Sequence, residues 1–295
     1  KILDKDRGGA FTIAPRDLRE SSQYYVPRTG VLVTEMRSGA GTVRITDALT
    51  LNSGADLTED VRAARQELLR AVEVLEGEVD LLVEVAPRGG ATSIRARAGG
   101  YAFCSTRHPH LDLQFRATVP MDGLRGTVRL KAGERAAFLL WWGGRHRIES
   151  TPSVEEILKG TTDAWQRWIG QLSHRGPRPE LVERSAITLK LMNYFENGAF
   201  VAAPTSSLPE LIGGVRNWDY RFTWVRDCAF TVYAFFRIGL YREAHAFLAW
   251  VLDAIERGER PLVLYDLDGH ETAPERDDPE LEGYQIGRAS CRVRV

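Results

Sequence analysis

At Thr151-Pro-Ser the hydrophobic period of this chain changes, and no single kind of secondary structure satisfies both sides of that point. Before it, from Gly9 to about Gly144, apolar residues alternate with polar ones in short runs broken by Gly and Pro. Val43 and Ile45 alternate with Thr and Arg, Leu111, Leu113 and Phe115 with Asp, Gln and Arg, and Val128 and Leu130 with Arg and Lys. Alternation of this kind predicts strands buried on one face. Turn residues at Arg37-Ser-Gly-Ala-Gly41 and Pro120-Met-Asp-Gly123 predict an antiparallel sandwich rather than βαβ units. The segment 63–85 is ambiguous. Ala63–Leu75 favours helix by composition, whereas Val72, Val74, Glu76-Gly77 and the β-rich Val79–Val85 favour a hairpin with a short helical turn before it, and the second reading is preferred.

Beyond Thr151 the period is helical. Ser153 stands three residues before Glu156, a capping box, and Val154, Ile157, Leu158, Thr161, Trp165, Trp168, Ile169 and Leu172 then recur on one face. Pro179 opens a second helix to about Tyr194 with apolar residues around much of its circumference, which is therefore expected to be deeply buried. A third helix is predicted from about Asp227 to Arg237, stopping at Gly239. A fourth is predicted from Tyr241 to about Arg257, with Ala244, Phe247, Leu248, Val251, Ala254 and Ile255 as its apolar stripe. One inner and one outer helix is the simplest arrangement of that pair.

Charge and cysteine usage narrow the function classes. Basic residues number 39 against 40 acidic ones without any long Lys/Arg block, so nucleic acid and anionic lipid are not expected partners. Apolar runs are too short to span a bilayer, so no membrane crossing is expected. Cys104, Cys228 and Cys291 are far apart and form no metal-spaced pair, so no disulfide framework or zinc site is expected and a cytoplasmic location fits. The chain opens on Lys1-Ile-Leu-Asp with neither an initiator Met nor a signal-peptide core, and its natural start is expected to lie upstream. Oligomeric state is not legible.

The densest chemistry-bearing stretch is Arg216-Asn-Trp-Asp-Tyr-Arg-Phe-Thr-Trp-Val-Arg-Asp227, just before the third helix. Sugars present hydroxyl edges and apolar C–H faces, so a saccharide site needs ionised hydrogen-bonding groups beside flat rings. Arg226 and Asp227 would donate to and accept from one ring's hydroxyls, with Tyr220 or Trp224 over its face. On composition alone an equally good reading has Asp227 capping the helix and the arginines pairing locally. Other stretches read as structural. His108 and His110 lack a third ligand, Trp141-Trp142 reads as a sheet edge packed against the linker helix, and Thr205-Ser-Ser207 reads as a turn. The acidic residues Asp266, Asp268, Glu271, Glu275, Asp277, Asp278, Glu280 and Glu282 read as a solvated loop.

The string GGVRNWDYRFTWVRD from Gly213 to Asp227, preceded by VAAPTSSLPE from Val201 to Glu210, resembles the signature of glycoside hydrolase family 15, which includes glucoamylases, glucodextranases and bacterial trehalases. The similarity runs from roughly Gly9 to Tyr284, taking in TEMRSGAGTVRITDAL at 34–49 and TLKLMNY at 188–194. It implies an α+β multidomain fold: an N-terminal antiparallel β-sandwich (supersandwich) over 1–150, a linker helix over 151–178, and the first helices of an (α/α)6 barrel over 179–286. Residues 287–295 depart from the family pattern and read as a non-native tail.

For function, the resemblance implies inverting hydrolysis of α-glucosidic bonds in an α-linked glucose oligosaccharide, polysaccharide or trehalose, with no metal or organic cofactor. It also implies that Arg226 and Asp227 hold hydroxyls of the non-reducing-end glucose, while Tyr220 and Trp224 line the same subsite. Inversion needs two carboxyl groups roughly 6.5–9.5 Å apart. In the family both lie downstream of anything that matches this chain, so the catalytic acid and base are expected beyond residue 295 and this fragment is expected to be inactive. A non-catalytic carbohydrate-binding protein and a glycoside phosphorylase of similar architecture are the alternative readings.

Overall fold

The alternating segments become strands, and their polar and apolar faces sort as the period-two pattern requires. The structure, a computed structural model, describes residues 8–59, 62–86, 92–97, 100–105, 112–121, 123–143, 153–212, 214, 216–258, 260–272, 276–277 and 290–291. Leu111, His108 and His110 lie outside the described residues. Among the described residues ten strands precede the first helix: β1 (Ala10–Pro15), β2 (Leu18–Tyr25), β3 (Leu32–Ser38), β4 (Gly41–Leu51), β5 (Ala64–Ala86), β6 (Thr92–Arg97), β7 (Gly100–Ser105), β8 (Asp112–Ala117), β9 (Arg125–Lys131) and β10 (Arg135–Trp142). They pair antiparallel in the order β2-β3-β4-β5-β10-β8-β7-β6, while β1 and β9 flank the far half of β5.

The two layers share β5. Its residues up to Gly77 pair with β4 and β10, and those from Glu78 onward pair with β9 and β1. The expected hairpin at Glu76-Gly77 does not form. Gly77 adopts φ 77°, and a Cβ there would overlap the carbonyl oxygen of Ala40, so the backbone bends at close approach to the β3–β4 turn. Partner strands wait on both sides of the bend, and the chain keeps its ladder bonds by continuing into the second layer instead of reversing. Among the described residues before it there is no helical turn of the kind expected, and the strand starts at Ala64.

Between the layers lies one apolar core. Val43, Ile45, Val72 and Val74 face Ile13, Val79, Leu81, Val83, Val128 and Leu130, with Phe103, Phe115 and Phe138 filling the interval. Burying each such side chain contributes roughly 1.5–3 kcal/mol before conformational entropy is subtracted. β10 is an interior strand between β5 and β8, so Trp141 and Trp142 do not mark a sheet edge. The packing half of that expectation holds: Trp141 lies beside Val154, Ile157 and Leu158 of the following helix.

That helix, α1 (Val154–Ile169), carries the capping box. The Ser153 amide donates to Glu156 Oε2 at 2.8 Å and the Glu156 amide donates to Ser153 Oγ at 3.2 Å. Ile157 packs on Leu69, Ala137 and Leu139, and the Leu51 amide donates to Thr161 Oγ1 at 3.1 Å. One compact unit takes the strands and α1 through Gln166; a second takes Leu57–Arg62 and everything from Arg167.

The second unit contains α2 (Pro179–Leu191), β11 (Thr223–Trp224), α3 (Val225–Arg237), α4 (Tyr241–Arg257) and β12 (Leu264–Tyr265). Its core is aromatic: Phe200 contacts Phe235 and Phe247, Phe247 stacks on Trp250, and Trp250 meets Tyr265 edge-on. The expected deep burial of α2 is not found. Only Ala186 and Ile187 are buried, and Leu181 and Leu191 face solvent because α2 is covered along one side only. On α4 the buried face is rotated from the expected stripe, to Glu243, Ala244, Phe247, Trp250 and Ala254, leaving Leu248 exposed. Trp250 wins that position because it fills the aromatic core and its indole N–H donates to the Leu267 carbonyl at 3.2 Å. Among the described residues no helix is long and apolar enough to cross a membrane.

Candidate functional site

Segment 201–222 doubles back on itself just ahead of α3. The amides of Ala202 and Ala203 donate to the carbonyls of Phe222 and Tyr220 at 3.1 and 2.8 Å, and those of Ser207 and Glu210 to the carbonyls of Trp218 and Arg216 at 2.7 and 2.9 Å. Ser207 Oγ in turn accepts from the Trp218 amide at 2.8 Å, which gives the Thr205-Ser-Ser207 stretch the structural role expected of it. Thr223–Trp224 pairs with Leu264–Tyr265, and the Val225 amide donates to the Val263 carbonyl at 3.1 Å. These rungs fix the exit of the motif at the N-terminus of α3.

Trp224 is buried. Its indole N–H donates to the Asp219 carbonyl at 2.9 Å, and the rings of Trp218 and Tyr220 meet it edge-on at centroid distances of 6.3 and 6.0 Å. Ala202, Phe222 and Leu264 complete this cluster. Trp224 thus lies under the partly buried rings of Trp218 and Tyr220, and Phe222 beside them is also partly buried. Asp219, also buried, accepts Arg221 Nε at 2.9 Å, Arg221 Nη2 at 2.6 Å and the Arg221 amide at 3.0 Å. This is the local Arg pairing that composition allowed, and it rigidifies the turn between the rings.

Arg226 and Asp227 also pair locally, as composition allowed, but at the surface. Arg226 Nη2 donates to Asp227 Oδ2 at 3.1 Å, with side chains 71% and 38% exposed. Asp227 sits in the first turn of α3, whose N-cap residue is Trp224, and no side chain caps the helix. The capping explanation of Asp227 therefore fails, and the carboxylate, paired with Arg226, lies at the positive end of the helix. Next to it, burial and then the Asp227 charge push the Cys228 thiol up to about 12, which keeps it a neutral apolar filler whose Sγ lies 3.4 Å from the Phe200 carbonyl.

The structure thus places a guanidinium and a carboxylate at the surface where α3 begins, and packs the partly exposed Trp218 and Tyr220 on the buried Trp224 in the same stretch of sequence. Sequence reading overlooked Trp218 and Glu210. The Trp218 indole N–H donates to Glu210 Oε1 at 3.1 Å, and Arg216 Nη1 lies 3.9 Å from Glu210 Oε2. The only signal available was that both lie inside the stretches 201–210 and 216–227. In the acidic loop, Asp266, Asp268 and His270 bring potential ligand atoms within 4.8 Å of one another. Asp266 Oδ1 accepts the amides of Asp268 and His270 at 2.9 Å each, so that carboxylate is engaged in shaping the turn. Glu275, Asp278, Glu280 and Glu282 lie outside the described residues.

Residues 176–290 match the family model "Glycosyl hydrolases family 15". The chain is 34% identical over 303 residues to a trehalase of Thermoplasma volcanium, covering 100% of this chain and 47% of that protein. It is 31% identical over 316 residues to a trehalase of Mycobacterium tuberculosis, covering 97% and 46% respectively. The chain therefore spans about half the length of these trehalases. A crystal structure of a bacterial glucoamylase complexed with acarbose superposes with a TM-score of 0.57 at 14% identity, covering 87% of this chain and 44% of that one. That likeness shows the fold, a β-sandwich followed by the first helices of a helical barrel.

Proposed function

Since this chain is, over residues 176–290, a family 15 glycosyl hydrolase sequence, we propose that it carries the glucose-gripping part of an enzyme that hydrolyses α-glucosidic bonds, with trehalose as its substrate. One observation carries the reading: Arg226 and Asp227 stand side by side at the surface where α3 begins, with side chains 71% and 38% exposed. A guanidinium donates and a carboxylate accepts, so together they match the vicinal hydroxyls of one pyranose, while an aromatic ring covers its C–H face. That the similar proteins of Thermoplasma volcanium and Mycobacterium tuberculosis are trehalases supports trehalose as the substrate proposed for this chain.

Hydrolysis itself needs a proton donor to the leaving oxygen and a base for water. Each carboxylate of the stretch holds a partner: Asp219 with Arg221, Glu210 with Trp218, and Asp227 with Arg226. The acid and base are accordingly assigned to sequence that the relatives possess in addition to the half matched here. The reading is tested by titrating the chain with trehalose calorimetrically while assaying glucose release. Binding without glucose release is expected, with binding lost in both Arg226→Ala and Asp227→Ala. Unchanged affinity in either variant would remove that residue from the site, and glucose release by this chain would overturn the assignment of the acid and base elsewhere.

A further inference from the structure

Apart from the proposed site, we infer that β2 is a self-pairing edge, through which two copies of this chain join their sheets across a two-fold axis centred on Ser22. The strand ends its sheet, and among the described residues no other strand takes its outer side. All eight of its residues are exposed. Ser21 and Gln23 stand opposite Met36 and Thr34 of β3, which are buried, so the second layer covers β3 and stops short of β2. β2 is thus open on both faces as well as along one edge, an arrangement in which a strand is only marginally held until another strand or layer meets it.

The sequence of the strand selects a second copy of itself as that partner. In an antiparallel ladder, opposite residues either both turn their N–H and C=O toward each other or both turn them away, so a strand meets its own copy with the two-fold axis on a residue. With the axis on Ser22, the pairs between copies are Ser22 with Ser22, Ser21 with Gln23 and Glu20 with Tyr24. These positions lie on the regular side of the register shift between Leu18 and Glu20, so the ladder is unbroken. Arg19 and Glu20 are the strand's only charges, opposite in sign, and neither meets its own kind. An axis on Glu20 would instead set carboxylate against carboxylate. Small hydroxyls at the axis let the two backbones close to ladder distance. Neither lysine nor proline, residues that commonly keep an exposed edge from pairing, occurs in β2.

The test is sedimentation velocity of the 295-residue chain over a range of loading concentrations, in which a reversible dimer is expected. Because Ser22 faces itself, Ser22→Lys sets two ammonium groups against each other and is expected to raise the dimer dissociation constant at least about tenfold. Ser22→Glu is expected to do the same, and an equal mixture of the two variants to recover the dimer. Ser22→Cys keeps the size of serine and covers the case in which a charged variant fails to fold. Under mild oxidation it is expected to give a covalent dimer bridged at position 22, read by peptide mass spectrometry, because residues paired across a ladder lie within disulfide reach. A parent chain that stays monomeric at every concentration would overturn the inference. So would association that Ser22→Lys leaves unchanged, or a Ser22→Cys chain that forms no bridge at position 22.

Discussion

Glu243 Oε1 accepts two hydrogen bonds at 2.8 Å, one from the Trp168 indole and one from the Lys190 ammonium, and so joins α4 to the last turn of α1 and to α2. The Lys190 ammonium also lies over the Trp168 ring at 5.6 Å. Glu243 is buried and Lys190 nearly so, and removing one partner strands the other charge away from water. Glu243→Ala is expected to cost about 3 kcal/mol, read as a lower denaturant midpoint in chemical unfolding. Glu243→Gln should cost less, since its amide oxygen still accepts from Trp168. Equal stability of the alanine variant and the parent would show that the network contributes nothing.

Gly77 is the corner at which β5 changes layer. Any side chain there meets both a positive φ and the Ala40 carbonyl, so Gly77→Val should destabilise the sandwich by about 2 kcal/mol or more. A thermal melt followed by far-UV circular dichroism would report it. Gly54, also at positive φ but with open space around it, should tolerate alanine with a smaller drop in Tm.

Acid should loosen a ladder of charges on the sandwich surface. A hydrogen bond from Arg44 holds the Glu35 carboxyl below its ordinary value, and the backbone amide together with Arg135 does the same for Glu155. A carboxyl lowered in the folded state stabilises the fold at pH above its unfolded value, and this contribution is lost as pH falls through the lowered one. Arg44→Ala should therefore raise the Glu35 titration midpoint toward that of an ordinary glutamate in NMR. An unmoved midpoint would mean that the bond at 2.7 Å does not persist in solution.

Cys228 should be silent to thiol reagents. With its thiol at about 12 and its side chain buried, labelling by a disulfide reagent at pH 8 should occur only in step with unfolding. Mass spectrometry of the labelled peptide after timed exposure would check this, and rapid native-state modification of Cys228 would contradict the packing around Phe200.

Local pattern carried much of the fold because backbone propensity and face-by-face burial act over a few residues. Val43, Ile45, Val128 and Leu130 are buried as their alternation requires, and Ser153 and Glu156 form their reciprocal cap. α4 begins at Tyr241 and ends at Arg257, as its flanking glycines and periodicity predict. The candidate site was legible as a composition of arginine, aspartate and aromatic residues in one stretch, along with the adjacency of Arg226 and Asp227. What composition could not rank was which ring is buried and which stays partly exposed, because Trp224 and Trp218 are chemically the same residue.

Those distinctions came from contacts between residues distant in sequence. Gly77 bends rather than reverses because the β3–β4 turn and two further strands stand beside it. Glu243 is buried because a tryptophan and a lysine from two other helices meet it, and Trp250 displaces Leu248 from the core because Phe247 and Tyr265 shape the space. Amino-acid order alone thus determined the element types, the layered-sheet-then-helix plan and the residue types of the proposed site. Tertiary structure decided which faces are covered, which polar groups are enclosed and which tryptophan stays partly exposed, since burial and hydrogen-bond satisfaction depend on neighbours brought from elsewhere in the chain.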